Sequence, residues 1–236
     1  MSSVWATPAA NAPLSERSAF LRKVGGLTLA GLSTSAVAAI VSSFAIAMTP
    51  VLMTRPASLA IILGSWGLTN FVFGGMVNGD GSRGTKLAGF FGGSVSQGIA
   101  LGYMLLVAAS VAAQDGMNPL TIIFQAMALT GLTALGMFGW LMSGPKDLSM
   151  VRGAIMMAGL PMLGVMLLTI VWPVGGILGI VISAAFVVIS TAGLLYQLNL
   201  VMHEMPTTAW VEGSYKITLG LLVLFWNLLS LLSRRR

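Results

Sequence analysis

The chain contains no cysteine and a single histidine, His203, among its 236 residues. Without thiols, disulfides, thiolate nucleophiles, iron–sulfur clusters and cysteine-ligated zinc are excluded. Charge is also scarce, at 8% of residues, where soluble domains carry roughly 25%. A water-soluble fold of this length could not cover its surface with so few charges. The six acids, Glu16, Asp80, Asp115, Asp147, Glu204 and Glu212, all fall at or beyond the ends of long apolar stretches. Carboxylates inside such stretches are the usual sign of ion paths and proton relays, and none is present. Paired carboxylates, a hydrolase triad and a phosphate loop are absent as well. GGSVSQG (residues 92–98) has loose glycine spacing but lies within an apolar stretch and follows no strand, so it is not a dinucleotide fingerprint.

What is present is hydrophobicity, 56% of the chain. A membrane helix needs about 20 apolar residues, and seven stretches qualify: 25–48, 57–77, 87–113, 119–142, 153–172, 174–202 and 211–233. Local breakers separate them: Thr49-Pro50 and Arg55-Pro56, the NGDGSRG cluster (78–84), Asp115–Pro119, Ser143–Asp147, Trp172–Gly176 and Met205–Thr208. No run of alternating segments of about 10 residues suggests a β-barrel. The expected fold is therefore all-α, a polytopic integral membrane protein of seven transmembrane helices, because helices satisfy their own backbone within lipid. Residues 1–16, polar and proline-containing, read as a disordered tail before one domain, 17–236. They lack the early basic region of a secretory signal.

The net charge of +6 follows from basic residues flanking the spans, not from a nucleic-acid patch. Arg17, Arg22, Lys23, Arg83, Lys86, Lys146, Arg152 and Lys216 fall on the N-terminal side of the expected topology. Arg55 and Arg234–Arg236 fall on the other. The positive-inside rule then places the N-terminus in the cytoplasm; the terminal arginines are either an exception to it, the preferred reading, or a sign that the last segment does not fully cross.

Glycine, 29 residues, is arranged in GxxxG pairs at Gly89/Gly93, Gly98/Gly102 and Gly175/Gly179, which let helix backbones approach closely. The intramembrane amides include Asn70, Gln97, Gln197 and Asn199. Uncharged hydrogen-bond glue between helices is the simpler reading of them, and a polar core or pore is the other. His203 with Glu204 is a candidate pH-responsive or interfacial pair, without enough ligands for a metal. Glu212 and Lys216 have the favourable i, i+4 order for an ion pair at the start of the last helix. Thr207 or Thr208 is a candidate cap for that helix, and Asp147 for the helix after it in the Ser143–Asp147 break. No cofactor is indicated. The sixteen methionines lack the His or Cys that accompany copper-binding thioethers and read as adaptable packing.

From about residue 130 three segments in order carry a family likeness: LGMFGWLMSGPKDLSMVRGAIMMAGL (135–160), AGLLYQLNLVMHE (192–204) and AWVEGSYKITLGLLVLFWNLLSLL (209–232). Together they resemble the Bax inhibitor-1 family of seven-span membrane proteins, including its bacterial, YccA-like branch. The resemblance implies six helices around a central seventh, a bacterial inner membrane, and either calcium leak or modulation of membrane-anchored AAA proteases. It also marks a departure. Calcium-leak members carry an aspartate in the sixth helix and another in the seventh. Those positions correspond to Gln197, after Tyr196, and to the neighbourhood of Gly220. Neither can titrate, which argues against a proton-gated calcium path. The expectation is a non-enzymatic accessory subunit or regulator of a membrane complex, with a pH-insensitive cation leak as the alternative.

Overall fold

The computed structural model describes residues 8–114, 116, 118–142, 148, 150–155, 157 and 176–233. These residues are helical almost throughout. Helix α1 (Leu14–Met48) is followed by α2 (Arg55–Gly67), which passes through a π-helical segment (Leu68–Phe73) into α3 (Gly74–Asn78). Next come α4 (Arg83–Gln114), α5 (Pro119–Leu141), α6 (Gly176–Asn199) with a π turn at Leu200–Glu204, and α7 (Trp210–Ser233). Among the described residues six helices are long and apolar enough to span a bilayer. The chain is an all-α polytopic membrane protein. The expected span at 153–172 and the glycine at 175 lie outside the described residues, apart from 153–155 and 157, and so does the proposed cap Asp147.

Direction follows from the contacts. Ser35 and Ser42 of α1 meet Gly98 and Gly102 of α4 in ascending order, so α1 and α4 run parallel. Phe73 and Met76 meet Gly92 and Gly89 in descending order, so the α2–α3 helix returns. Gln197 and Val201 of α6 meet Gly220 and Gly213, so α6 is antiparallel to α7. Helix α7 starts beside α1 and α4, through Ser214–Val24 and Lys86–Glu212. Leu141 and Gly176 therefore lie at opposite ends of the bundle.

Helix α7 is central, packing against α1, α4, α5 and α6. Its buried residues extend beyond one stripe: Ser214, Ile217, Gly220, Leu224 and Leu228 lie on one face, and Val211, Tyr215, Leu222 and Leu229 widen it to more than half the circumference. This is the pattern of a helix enclosed by others. Helix α5 is peripheral, with Leu120, Phe124, Leu132 and Leu135 all more than half exposed. In a bilayer such residues face acyl chains.

Two boundaries differ from the hydropathy reading. At 35 residues, α1 is about 52 Å long by helix rise, well beyond the roughly 30 Å hydrocarbon core. It begins at Leu14 rather than near 25, because hydropathy cannot see the charged turns that continue the helix past the hydrocarbon boundary. Residues 9–11, expected within a free tail, form a 3₁₀ turn on the bundle. Ala9 is fully buried, its N–H donates to Met205 O at 2.9 Å, and Pro8 pairs with Pro206.

Candidate functional site

The α4 glycines are where the bundle is tightest. A Cβ at Gly98 would stand 2.5 Å from Ser35 O and 2.6 Å from Ala38 Cβ. One at Gly102 would stand 2.6 Å from Ala39 O and would also strike Ser42 Oγ. Small residues on α1 thus face small residues on α4, and Ser35 Oγ crosses to Ser94 O at 2.8 Å. Gly89 receives Met76 and Val77 of α3. A Cβ at Gly93 would stand 2.7 Å from the Tyr215 ring. Gly179 is buried on α6.

Tyr215 connects three helices. Its ring lies on Gly93 and edge-on to Phe90, and its hydroxyl donates to Thr69 O at 2.6 Å. Thr69 lies in the π segment, where its carbonyl also accepts from Gly74 N–H. The α7 tyrosine therefore pins the irregular turn of the α2–α3 helix. Ser96 Oγ to Ser65 O at 3.1 Å and Ser214 Oγ to Val24 O at 3.2 Å are further cross-helix bonds of this half. Sequence reading assigned the glue role to amides. Much of it is carried by hydroxyls, which are short enough to sit among glycines without forcing helices apart.

The amides are scattered. Asn70 does not belong to a polar core: it is exposed and its amide donates back to Trp66 O of its own helix at 2.8 Å. It lies in the π segment next to buried Thr69 but on the exposed side. Gln97 is half-buried on α4 and Asn199 is buried on α6. Gln197 projects from α6 onto Gly220 of α7, where a Cβ would strike its Oε1 and stand 3.0 Å from Leu194 Cδ1. Gln197 Oε1 is buried with no hydrogen-bond partner among the described residues. Gln197 and Gly220 thus face each other, an amide side chain over a residue that has none.

His203 is buried in the π turn rather than exposed at an interface, whereas Glu204 beside it is exposed. Glu212 pairs with Lys86 of α4 at 2.5 Å, not with Lys216 one turn along its own helix. The N-terminal ends of α4 and α7 lie side by side, so a tertiary partner wins over the local one. Ala209 stands immediately before α7, its N–H bonded to Pro206 O, so Thr207 and Thr208 precede the cap position. Arg17, Arg22, Lys23, Arg83, Lys86 and Lys216 are gathered at one end of the bundle, because α1, α4 and α7 all begin there. No group of three or more potential metal-ligating side chains occurs among the described residues.

A stretch of 111 residues is 30% identical to uncharacterized protein PA2604 of Pseudomonas aeruginosa. It covers 44% of this chain and 50% of that relative, so the match spans half of the relative's length. The family model described as inhibitor of apoptosis-promoting Bax1 matches residues 17–236, nearly the whole chain. With that match and a helical bundle arranged around its last span, the chain belongs to the Bax inhibitor-1 family.

Proposed function

We propose that this family member is a non-enzymatic accessory subunit or regulator of a larger membrane complex, with a membrane-anchored AAA protease as the preferred partner. The observation that supports this reading is the pairing of Gln197 with Gly220. A proton-gated ion path needs close carboxylates whose mutual repulsion raises one pKa. Here the facing positions hold an amide and a hydrogen atom. The described carboxylates, Glu16, Asp80, Glu204 and Glu212, are all at helix ends or in turns. What the bundle does offer is extended apolar helix surface, on α5 above all. In lipid, such surface associates with other helices through packing and occasional hydrogen bonds.

The gathering of basic residues at the N-terminal end of α1, α4 and α7 favours a cytoplasmic N-terminus by the positive-inside rule. A bacterial inner membrane is the proposed location. The second reading, a pH-insensitive cation leak, draws on the buried, unpartnered Gln197 Oε1, an acceptor of the kind that a permeating cation uses.

The test is purification in a mild detergent with mass spectrometry of the intact assembly. The accessory reading expects a partner in fixed ratio that is retained by Gln197→Ala. A lone protein that passes calcium in liposomes, and loses that flux in Gln197→Ala, would replace it with the leak.

A further inference from the structure

At the end of the bundle where α4 and α7 begin, a groove of about 240 Å³ is lined by Gly81, Arg83, Lys86, Thr208, Trp210 and Glu212, with Val211 at its base. Its charges are arranged rather than dispersed. The Arg83 guanidinium lies 4.8 Å above the Trp210 ring. Trp210 itself packs against both buried clusters of this half of the molecule, the one containing Val201 and Met202 and the one containing Phe90 and Tyr215. The aromatic platform is therefore fixed. An arginine stacked on a ring keeps the edge of its planar fork free for in-plane hydrogen bonds. No carboxylate among the described residues forms an ion pair with Arg83, and Asp80 of the same loop does not line the groove. Glu212 does line it, but its carboxylate is engaged by Lys86. Lys86 uses one of its three donors there. The groove carries two cations and one anion, a net charge of +1.

We propose that this groove binds the phosphate of an anionic phospholipid. A phosphodiester carries one negative charge, matching the net charge of the site. Its oxygens suit the fork of Arg83, the remaining donors of Lys86 and the hydroxyl of Thr208. The source is a lipid because the lining residues stand at the first turns of two membrane-spanning helices, Arg83–Gln114 and Trp210–Ser233. That is headgroup depth, where Trp and basic residues anchor spans to the interface. The Lys86–Glu212 pair fixes Lys86 at the wall and keeps the site from becoming a general polyanion patch.

The experiment is native mass spectrometry and thermal unfolding of the full chain in mixed micelles containing phosphatidylglycerol, phosphatidylcholine or inorganic phosphate. The expected result is retention of phosphatidylglycerol over phosphatidylcholine with a raised Tm. Arg83→Gln should weaken that retention about tenfold, the effect of losing a charge-assisted contact. Arg83→Lys, which keeps the charge but not the stacked fork, should recover only part of it. Because Arg83 is exposed, these variants should unfold like the parent in phosphatidylcholine, which separates lost binding from lost folding. Equal retention of both lipids, or retention indifferent to Arg83→Gln, overturns the proposal. Saturation by inorganic phosphate with no preference for the lipid assigns the groove to a free phosphate and overturns the lipid assignment.

Discussion

Gln197 of α6 lies directly over Gly220 of α7, its side-chain oxygen occupying the space that a Cβ on Gly220 would need. This contact joins α6 to α7 with a polar side chain set against a glycine. It also ranks glycine substitutions, because the obstacle at each glycine is of a different kind. At Gly220 the obstacle is the flexible end of a glutamine and a leucine methyl. At Gly98 it is the Ser35 backbone. On α5, Gly136 has nothing within 4 Å.

Gly98→Ala is therefore expected to destabilise by about 2–3 kcal/mol, the upper range of overpacking, since a backbone carbonyl cannot rotate away. Gly220→Ala should stay within about 1 kcal/mol of the parent, as side-chain rearrangement offsets the gain in helix propensity. Gly136→Ala should be neutral or slightly stabilising. Thermal or denaturant unfolding in detergent micelles gives the order, and a Gly98→Ala protein as stable as Gly136→Ala would contradict the close α1–α4 crossing.

Tyr215→Phe removes the hydroxyl that donates to Thr69 O and keeps the ring on Gly93. Because that carbonyl also accepts from Gly74 N–H, it is not orphaned, and the expected loss is about 1 kcal/mol. Hydrogen exchange should rise at Leu68–Phe73 more than elsewhere in the molecule. Unchanged exchange there would show that the tyrosine does not hold the π segment.

The ion-pair assignment is separable from its local alternative. Glu212→Gln and Lys86→Met should each cost about 1 kcal/mol or less, given partial exposure. The double mutant should cost less than the sum of the two. Lys216→Met should show no coupling to Glu212→Gln. Coupling to Lys216 instead of Lys86 would restore the i, i+4 pair that sequence spacing suggested.

Ala9→Asp places a charge at a fully buried position against the start of α7 and the π turn of α6. The 3₁₀ turn should detach, and digestion of residues 1–13 by a nonspecific protease should accelerate several-fold while the bundle persists. Equal digestion of parent and variant would mean that the segment is free in both.

The six spans among the described residues were legible, except for the start of α1, because burial in lipid requires long uninterrupted apolar runs. Pro119 and the Met205–Thr208 break mark real helix ends, and Gly98/Gly102 do bring two backbones together. Other features were hidden for physical reasons. A polar residue announces its polarity but not its face, so Asn70 read as internal although it is exposed and bonds its own helix. Serines among glycines read as small residues, although Ser35, Ser96 and Ser214 bond across helices. Glu212 advertised a local partner and took a distant one, because sequence spacing says nothing of which helix starts lie together. The Arg83–Trp210 stack joins residues 127 positions apart and left no local signal.

On the proposed accessory reading, a core with an amide facing a glycine does not conduct calcium on its own. Calcium flux into liposomes containing the purified protein, followed from acidic to neutral pH beside protein-free liposomes, tests this. The expected trace is that of protein-free liposomes at every pH. Flux above that trace, abolished by Gln197→Ala, would contradict it and make the protein a leak.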